Sequence, residues 1–275
     1  MDSAGLWIEL QRNSSAIGID ERSLFCLITL SIILIFFYLH GWFYVFADWF
    51  GFLDQYAIRS GNHKVATIEK QWEAIREATI DVFIVKPVVL YFIYPYVAGK
   101  YIYFDSHLPS WQTCILNWLS MKLIFSTSLY WIHRAMHHKS IYQYVHKRHH
   151  TFHDTVGFAS QYAHPVEGMF SALHVIFGVI LVKPHFIVFS AFMATTLFEI
   201  VDAHCGYDVP WAWLYPWSDR YFWGSGARAH DYHHSHNIGI YGGGLTGLWD
   251  RLLGTDVEFR RFEEKRRAAE GSKQL

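Results

Sequence analysis

Apolar positions in this chain come in long runs separated by polar stretches. Leu24–Val45 is nearly free of charge and long enough to cross a bilayer, which takes about 20 residues. Ile84–Ala98 is a shorter second candidate, interrupted by Lys86, Pro87 and Pro95. Trp111–Ile132 is a third; it carries Lys122 and runs directly into His133. Val166–Val182 and Phe186–Val201 form a fourth region, broken at Lys183-Pro184-His185, which predicts a helical hairpin. Many Trp and Tyr residues sit at the ends of these runs, as in an interfacial belt. The first run is too long for a signal-peptide core and no small-residue cleavage site follows it, so it reads as a retained anchor. The pattern predicts an all-α integral membrane protein with about four transmembrane or hairpin segments.

The polar stretches carry the chemistry. Of 18 histidines among 275 residues, most fall in three short stretches: His133/His137/His138, His146/His149/His150/His153 and His230/His233/His234/His236. On a helix, residues three and four apart share a face. Each stretch therefore presents two or three imidazoles to a common point, and three such faces converging form an all-nitrogen cage large enough for two ions. Imidazole suits iron, zinc, copper and nickel, and the spacing does not choose among them. Eight or more imidazoles exceed what one tetrahedral zinc takes, so a two-metal site is the simpler account. His40, His63, His107, His174 and His185 belong to no cluster and read as structural. The histidines follow or flank apolar segments, which puts the metal near the membrane–water boundary and makes the substrate a lipid.

Composition narrows the function classes. Hydrophobic residues make up 52% and aromatics 19% of the chain, and the formal net charge of -1 provides no basic footprint for nucleic acid. Cys26, Cys114 and Cys205 lie in or beside apolar segments and read as buried packing residues, not a disulfide framework. The loop from Asp48 to Ala78 carries Arg59, Lys64, Lys70 and Arg76, against Lys100 alone in the next loop. The positive-inside bias puts residues 48–78 in the cytosol, residues 99–110 outside, and the histidine clusters and C-terminus in the cytosol. The chain divides into an N-terminal membrane anchor region (1–110), a histidine-bearing catalytic region (111–258) and a basic cytosolic tail (259–275). The Gly242-Gly243-Gly244 run lacks the context of a phosphate loop and reads as a turn.

The three boxes His133-Arg134-Ala135-Met136-His137, His146-Lys147-Arg148-His149-His150 and His230-Asp231-Tyr232-His233-His234 resemble those of the fatty acid hydroxylase/sterol desaturase superfamily. Gln161–Glu167, His204–Trp211 and Leu248–Asp256 extend the resemblance, which covers roughly residues 115–258 and is closest to the 4-methylsterol oxidase branch. Between the third box and the last motif, Ser235–Gly244 is glycine-rich where that branch carries asparagine and aromatics. The resemblance implies a membrane-bound non-haem di-iron monooxygenase of the endoplasmic reticulum. It would use O2 and hydroxylate an unactivated C–H bond of a lipid, with a 4-methylsterol of sterol biosynthesis first. Electrons would come from NAD(P)H through cytochrome b5 or a reductase, since the chain has no dinucleotide fingerprint of its own. Zinc also fits the donor set in recombinant material.

Carried over position by position, the implied metal ligands are His133, His137, His146, His149, His150, His230, His233 and His234, with His204 a ninth and His164 either a ligand or an orienting neighbour. His138, His153 and His236 sit off the shared pattern. Asp231, Asp202, Asp208 and Glu167 are candidate carboxylates for orienting imidazoles. Glu199 and Asp202, near the end of an apolar segment, are expected to face the metal cavity. Alternatives remain open at this stage: a sterol desaturase, a fatty acyl or alkyl lipid hydroxylase, a metal transporter, or a catalytically silent sterol-binding scaffold.

Overall fold

A computed structural model describes residues 9, 12–58, 66–104, 107–209, 211, 226–242 and 247–272. His63, Gly243 and Gly244, and the last three residues of the chain lie outside them. The described residues are helical, with two isolated β-bridges and no strand.

Five long helices build the bundle: α1 (Glu21–Phe50), α2 (Ile68–Tyr101), α3 (Trp111–Met136), α4 (Pro165–Val182) and α5 (Phe186–Ala203). A side chain caps the start of each of the five. Asp20, Thr67 and Ser110 cap α1, α2 and α3 by accepting a backbone N–H of the first turn, and His164 and His185 do the same for α4 and α5. Helices α1, α2, α4 and α5 are long and apolar enough to cross a membrane. The expected hairpin thus counts as two candidate spans. Helix α3, expected as a span, has the length at 26 residues but falls short in apolar character, because Asn117, Lys122 and several hydroxyls interrupt it.

Lys86 and Pro87 do not interrupt the second segment as the sequence suggested. The turn before them, Asp81–Val85, is π-helical. A proline has no N–H for the carbonyl four residues back, and the wider π turn absorbs that mismatch without ending the helix. Helix α1 carries a matching π stretch at Leu34–Leu39, and the two meet where Tyr38 packs edge-on against Phe83 at 5.2 Å.

The bundle has two distinct ends. At one, Tyr94 donates to Glu21 (2.5 Å) and Tyr103 bridges to His185. At the other, Ala57 bridges to Tyr207 and Lys70 donates to the carbonyl of Thr151 (2.8 Å). Helices α3 and α5 both finish at this second end, with His133 on the last turn of α3 and His204 just past α5. One core joins α1 and α2 to the histidine region: Phe37, Tyr44, Ala74 and Ile75 pack with Phe152, Phe158, Val201 and Cys205. The anchor region and the catalytic region are therefore one packed unit. Ile35, Leu39 and Phe46 on α1, Phe83, Val88 and Phe92 on α2, and Leu116 and Leu123 on α3 face outward. Such a continuous apolar exterior belongs in lipid.

The smaller helices α6 (Ala227–His236), α7 (Leu248–Leu253) and α8 (Val257–Gly271) close the second end. Residues 259–271, the part of the expected basic tail that forms helix, belong to α8, which docks on α6. Phe259 and Phe262 pack tilted against Tyr232, and Glu263 pairs with Arg228 at 3.0 Å. Cys26 and Cys205 are buried as expected, but Cys114 is only partly so.

Candidate metal centre

The eight histidines carried over from the boxes and His204 meet at this second end and sort into two groups. His133, His137, His146, His150 and His233 form one; His149, His204, His230 and His234 form the other, with ring nitrogens within 4.8 Å of one another in each group. The helical rule sorts them: the i,i+4 pairs 133/137, 146/150 and 230/234 each stay together. The odd members of boxes two and three, His149 and His233, cross to the opposite group. The boxes thus interleave instead of each facing one point.

Box two is not the helix expected for it. Residues 138–148 run as successive turns and His149–Thr151 as a 3-10 turn. An ion pair from Arg148 to Glu77 on α2, and the Lys70–Thr151 hydrogen bond, pin the segment to α2.

Each oriented ring is held from behind through Nδ1. His133 donates to the carbonyl of Tyr241 (3.0 Å), His204 to Ile200 (2.8 Å), His234 to Phe152 (2.9 Å) and His233 to Gly239. His146 donates to the Glu167 carboxylate at 2.9 Å. A neutral imidazole has one N–H. With that proton committed at Nδ1, Nε2 is a bare lone pair. Yet Nε2 of His133 stands 3.0 Å from that of His146 and 3.1 Å from that of His233; in the second group the Nε2 atoms of His204 and His234 stand 2.8 and 3.1 Å from that of His230. Lone pairs facing each other repel unless a cation lies between them. Two nitrogens bound to one ion at about 2.0–2.1 Å stand about 2.9–3.4 Å apart. The donor sets therefore fit one metal ion each.

Burial keeps the rings in the neutral form that binds metal. Desolvation, then the neighbouring imidazoles, depresses His137 and His149 to about 4 and His204 to about 3. The same causes push His146, His150, His230, His233 and His234 far below the ordinary histidine range.

The remaining candidates fall around the groups. His164 lies in neither; its Nδ1 accepts Val166 N as the cap of α4. His138, His153 and His236 are likewise outside both. Among the four acids, Glu167 orients a ligand. Asp202 accepts from Tyr44 (2.6 Å) and faces His40 (3.1 Å), Asp231 accepts from Thr155 (3.2 Å), and Asp208 lies 3.8 Å from Arg228. Glu199, expected at the metal cavity, pairs with Lys122 at 2.7 Å.

Sequence reasoning missed Asp250. Its carboxylate accepts from Tyr241 N (2.8 Å), Gly242 N (2.7 Å) and Thr255 Oγ1 (2.6 Å). That clamp fixes the loop whose carbonyls orient His133 and His233. Gly239 in the same loop has φ +58°, and a Cβ there would lie 2.1 Å from the Thr255 carbonyl. Its neighbour Ile240 is buried at φ +52°, a costly conformation for a branched residue. The glycine-rich departure after box three thus serves ligand placement. The only cue in the sequence was Asp250 within the Leu248–Asp256 motif.

Residues 118–255 match the fatty acid hydroxylase family. The chain belongs to that family and is an oxygen-dependent oxidoreductase. It is 34% identical to methylsterol monooxygenase 1 of Rattus norvegicus, covering 78% of this chain and 71% of that protein. It is 33% identical to methylsterol monooxygenase 2-2 of Arabidopsis thaliana over 82% and 84% of the two chains. The C-4 methylsterol oxidase of Candida albicans is 29% identical over 71% of this chain and 64% of its own length. No solved structure matches the chain.

Proposed function

We propose that the protein is a membrane-bound non-haem di-iron monooxygenase that hydroxylates a C–H bond of a 4-methylsterol. The nine histidines named above hold the two irons. The observation that carries this reading is the pair of all-histidine groups at one end of an apolar-surfaced bundle, in a chain similar to methylsterol monooxygenases over most of its length. When bound, the two irons supply the reductive activation of dioxygen that an unactivated C–H bond requires.

The chain's own residues supply the rest. The Nδ1 acceptors fix the tautomer and aim of five rings. Burial of eight of the nine ligands keeps bulk water from the reacting centre. A sterol enters from the bilayer, and the lipid-facing helices α3 and α5 lead directly to His133 and His204. In the endoplasmic reticulum membrane the metal end faces the cytosol; the loop containing Ala57, which belongs to the more basic connection, packs at that end.

Electrons come from NAD(P)H through cytochrome b5 or a reductase. Residues 134–153 contain no acid, and Lys139 and Lys147 are exposed there. Beneath them the Tyr142 ring lies 5.5 Å from His137 and 5.9 Å from His150. A basic surface this close to the ligands suits an acidic donor protein.

The test compares wild type with His146→Ala/His149→Ala, which removes one ligand from each group, in membranes supplied with NADH and oxygen. The expected result is about two irons per wild-type chain and an oxygenated sterol, both lost in the variant. Retained metal in the variant would overturn the ligand assignment. Metal without any oxygenated lipid would overturn the enzymatic reading in favour of a scaffold.

A further inference from the structure

Lys122 and Glu199 form an ion pair (2.7 Å) between α3 and α5, with side chains only 1% and 9% exposed. Taking two charges out of water between apolar helices is expensive, and such a pair rarely outperforms apolar residues of the same size. The helices have other contacts to hold them, including Phe125 on Phe192 at 5.9 Å. The pair therefore calls for a reason beyond packing.

Its surroundings supply one. Trp118 Nε1 donates to Thr195 Oγ1 at 3.3 Å, one turn before Lys122–Glu199 on both helices. Helices α3 and α5 thus run parallel and in register toward the metal end. One further turn brings Ser126 level with Ala203, next to the ligand His204. The pair itself lies about 7 Å below His204 along α5. Ser126 and Thr196 flank it, 1% and 3% exposed, and neither hydroxyl has a hydrogen-bond partner. The Lys122 ammonium carries three donors; one goes to Glu199, and the rings of Trp118 and Phe192 lie 5.4 and 5.7 Å away. Buried donors and acceptors with spare capacity, set in an apolar bundle beneath the metal ligands, mark a place for one polar group of an apolar ligand.

We propose that Lys122, Glu199, Ser126 and Thr196 form a polar subsite that takes the ring hydroxyl of the sterol substrate. The assignment rests on the sterol reading above. A sterol has one ring hydroxyl, and in a 4-methylsterol its carbon adjoins the methyl-bearing carbon. Presenting that methyl to the metals brings the hydroxyl just below them, into the span between His204 and the pair. The subsite sets which end of the lipid enters first and which carbon is offered.

The test is equilibrium binding of a 4-methylated cholestanol and its 3-O-methyl ether to the full chain in lipid nanodiscs, with metal content and thermal midpoint measured on the same samples. Wild type is expected to prefer the free hydroxyl by about ten- to a hundredfold. Lys122→Met/Glu199→Met is expected to bind both compounds equally, with metal content unchanged. Ser126→Ala/Thr196→Val leaves the ion pair intact and is expected to cut the preference at least several-fold, so a misfolded first variant does not end the test. Equal binding of both compounds by wild type, or an undiminished preference in either folded variant, overturns the subsite and leaves the enzyme reading standing. No binding of either compound by metal-loaded wild type overturns both.

Discussion

The two histidine groups are built from the same residue type but supported by different parts of the chain. The four-histidine group is fully buried, and two of its rings are aimed by backbone already fixed within the core: Ile200 on the last turn of α5 and Phe152 in the main hydrophobic cluster. The five-histidine group includes the partly exposed His137 and depends on a late, strained loop, whose Tyr241 and Gly239 carbonyls hold His133 and His233. One site is supported by core packing and the other by a clamp at Asp250. Equal ligands do not make equal sites; the difference lies in what stands behind the imidazoles.

That contrast is open to direct attack. The largest effect is expected from the ligands themselves: His150→Ala and His234→Ala should each lower bound iron by about one ion per chain. Each should also reduce turnover by more than about a hundredfold, read by elemental analysis and product formation. Next comes Gly239→Ala, which forces a Cβ against the Thr255 carbonyl. A loss of roughly 2–4 kcal/mol is expected in thermal or denaturant unfolding, with the five-histidine site emptied first. Asp250→Asn replaces one of the acceptors of the Tyr241 and Gly242 amides by a donor. Chelator competition should show about 10–100-fold weaker binding at one ion and little change at the other. Equal weakening of both would erase the distinction between a clamped and a core-supported site. The smallest effect is expected from His164→Ala, which removes the cap of α4 at a cost of about 1 kcal/mol and leaves metal content intact.

Eight members of the two groups were legible in the sequence because ligand chemistry demands a particular side chain at a particular spacing, while His204 came only from the family resemblance. Their sorting was not legible. Helical periodicity correctly keeps 146 with 150 and 230 with 234, yet it cannot say that His149 and His233 cross over; that depends on how a turn and a helix approach in space. Box two reads as helical because its spacing is helical, while its tertiary anchors Glu77 and Lys70 hold it as turns. The supporting acids show the same limit. Glu167 was found by proximity in sequence to His164 but serves His146, and Asp250 had only its place in the Leu248–Asp256 motif to mark it, since it acts on backbone amides and a hydroxyl and not on a histidine. Lys86-Pro87 read as a break because one proline was weighed without the π turn that accommodates it. Lys122 read as a blemish in a span, and only the facing Glu199 gives it a partner.

The order in which the ligands occur has a consequence for how the protein is made. The first ligand is His133, and the clamp that secures its orientation is complete only at Thr255. At synthesis rates of about 5–20 residues per second, those roughly 120 residues take about 6–24 s to emerge. Helices α4 and α5 are themselves made within that interval, and every candidate span has emerged before the clamp is complete. A chain terminated shortly before Thr255 would therefore carry all four candidate membrane spans yet lack the clamp that completes the five-histidine site.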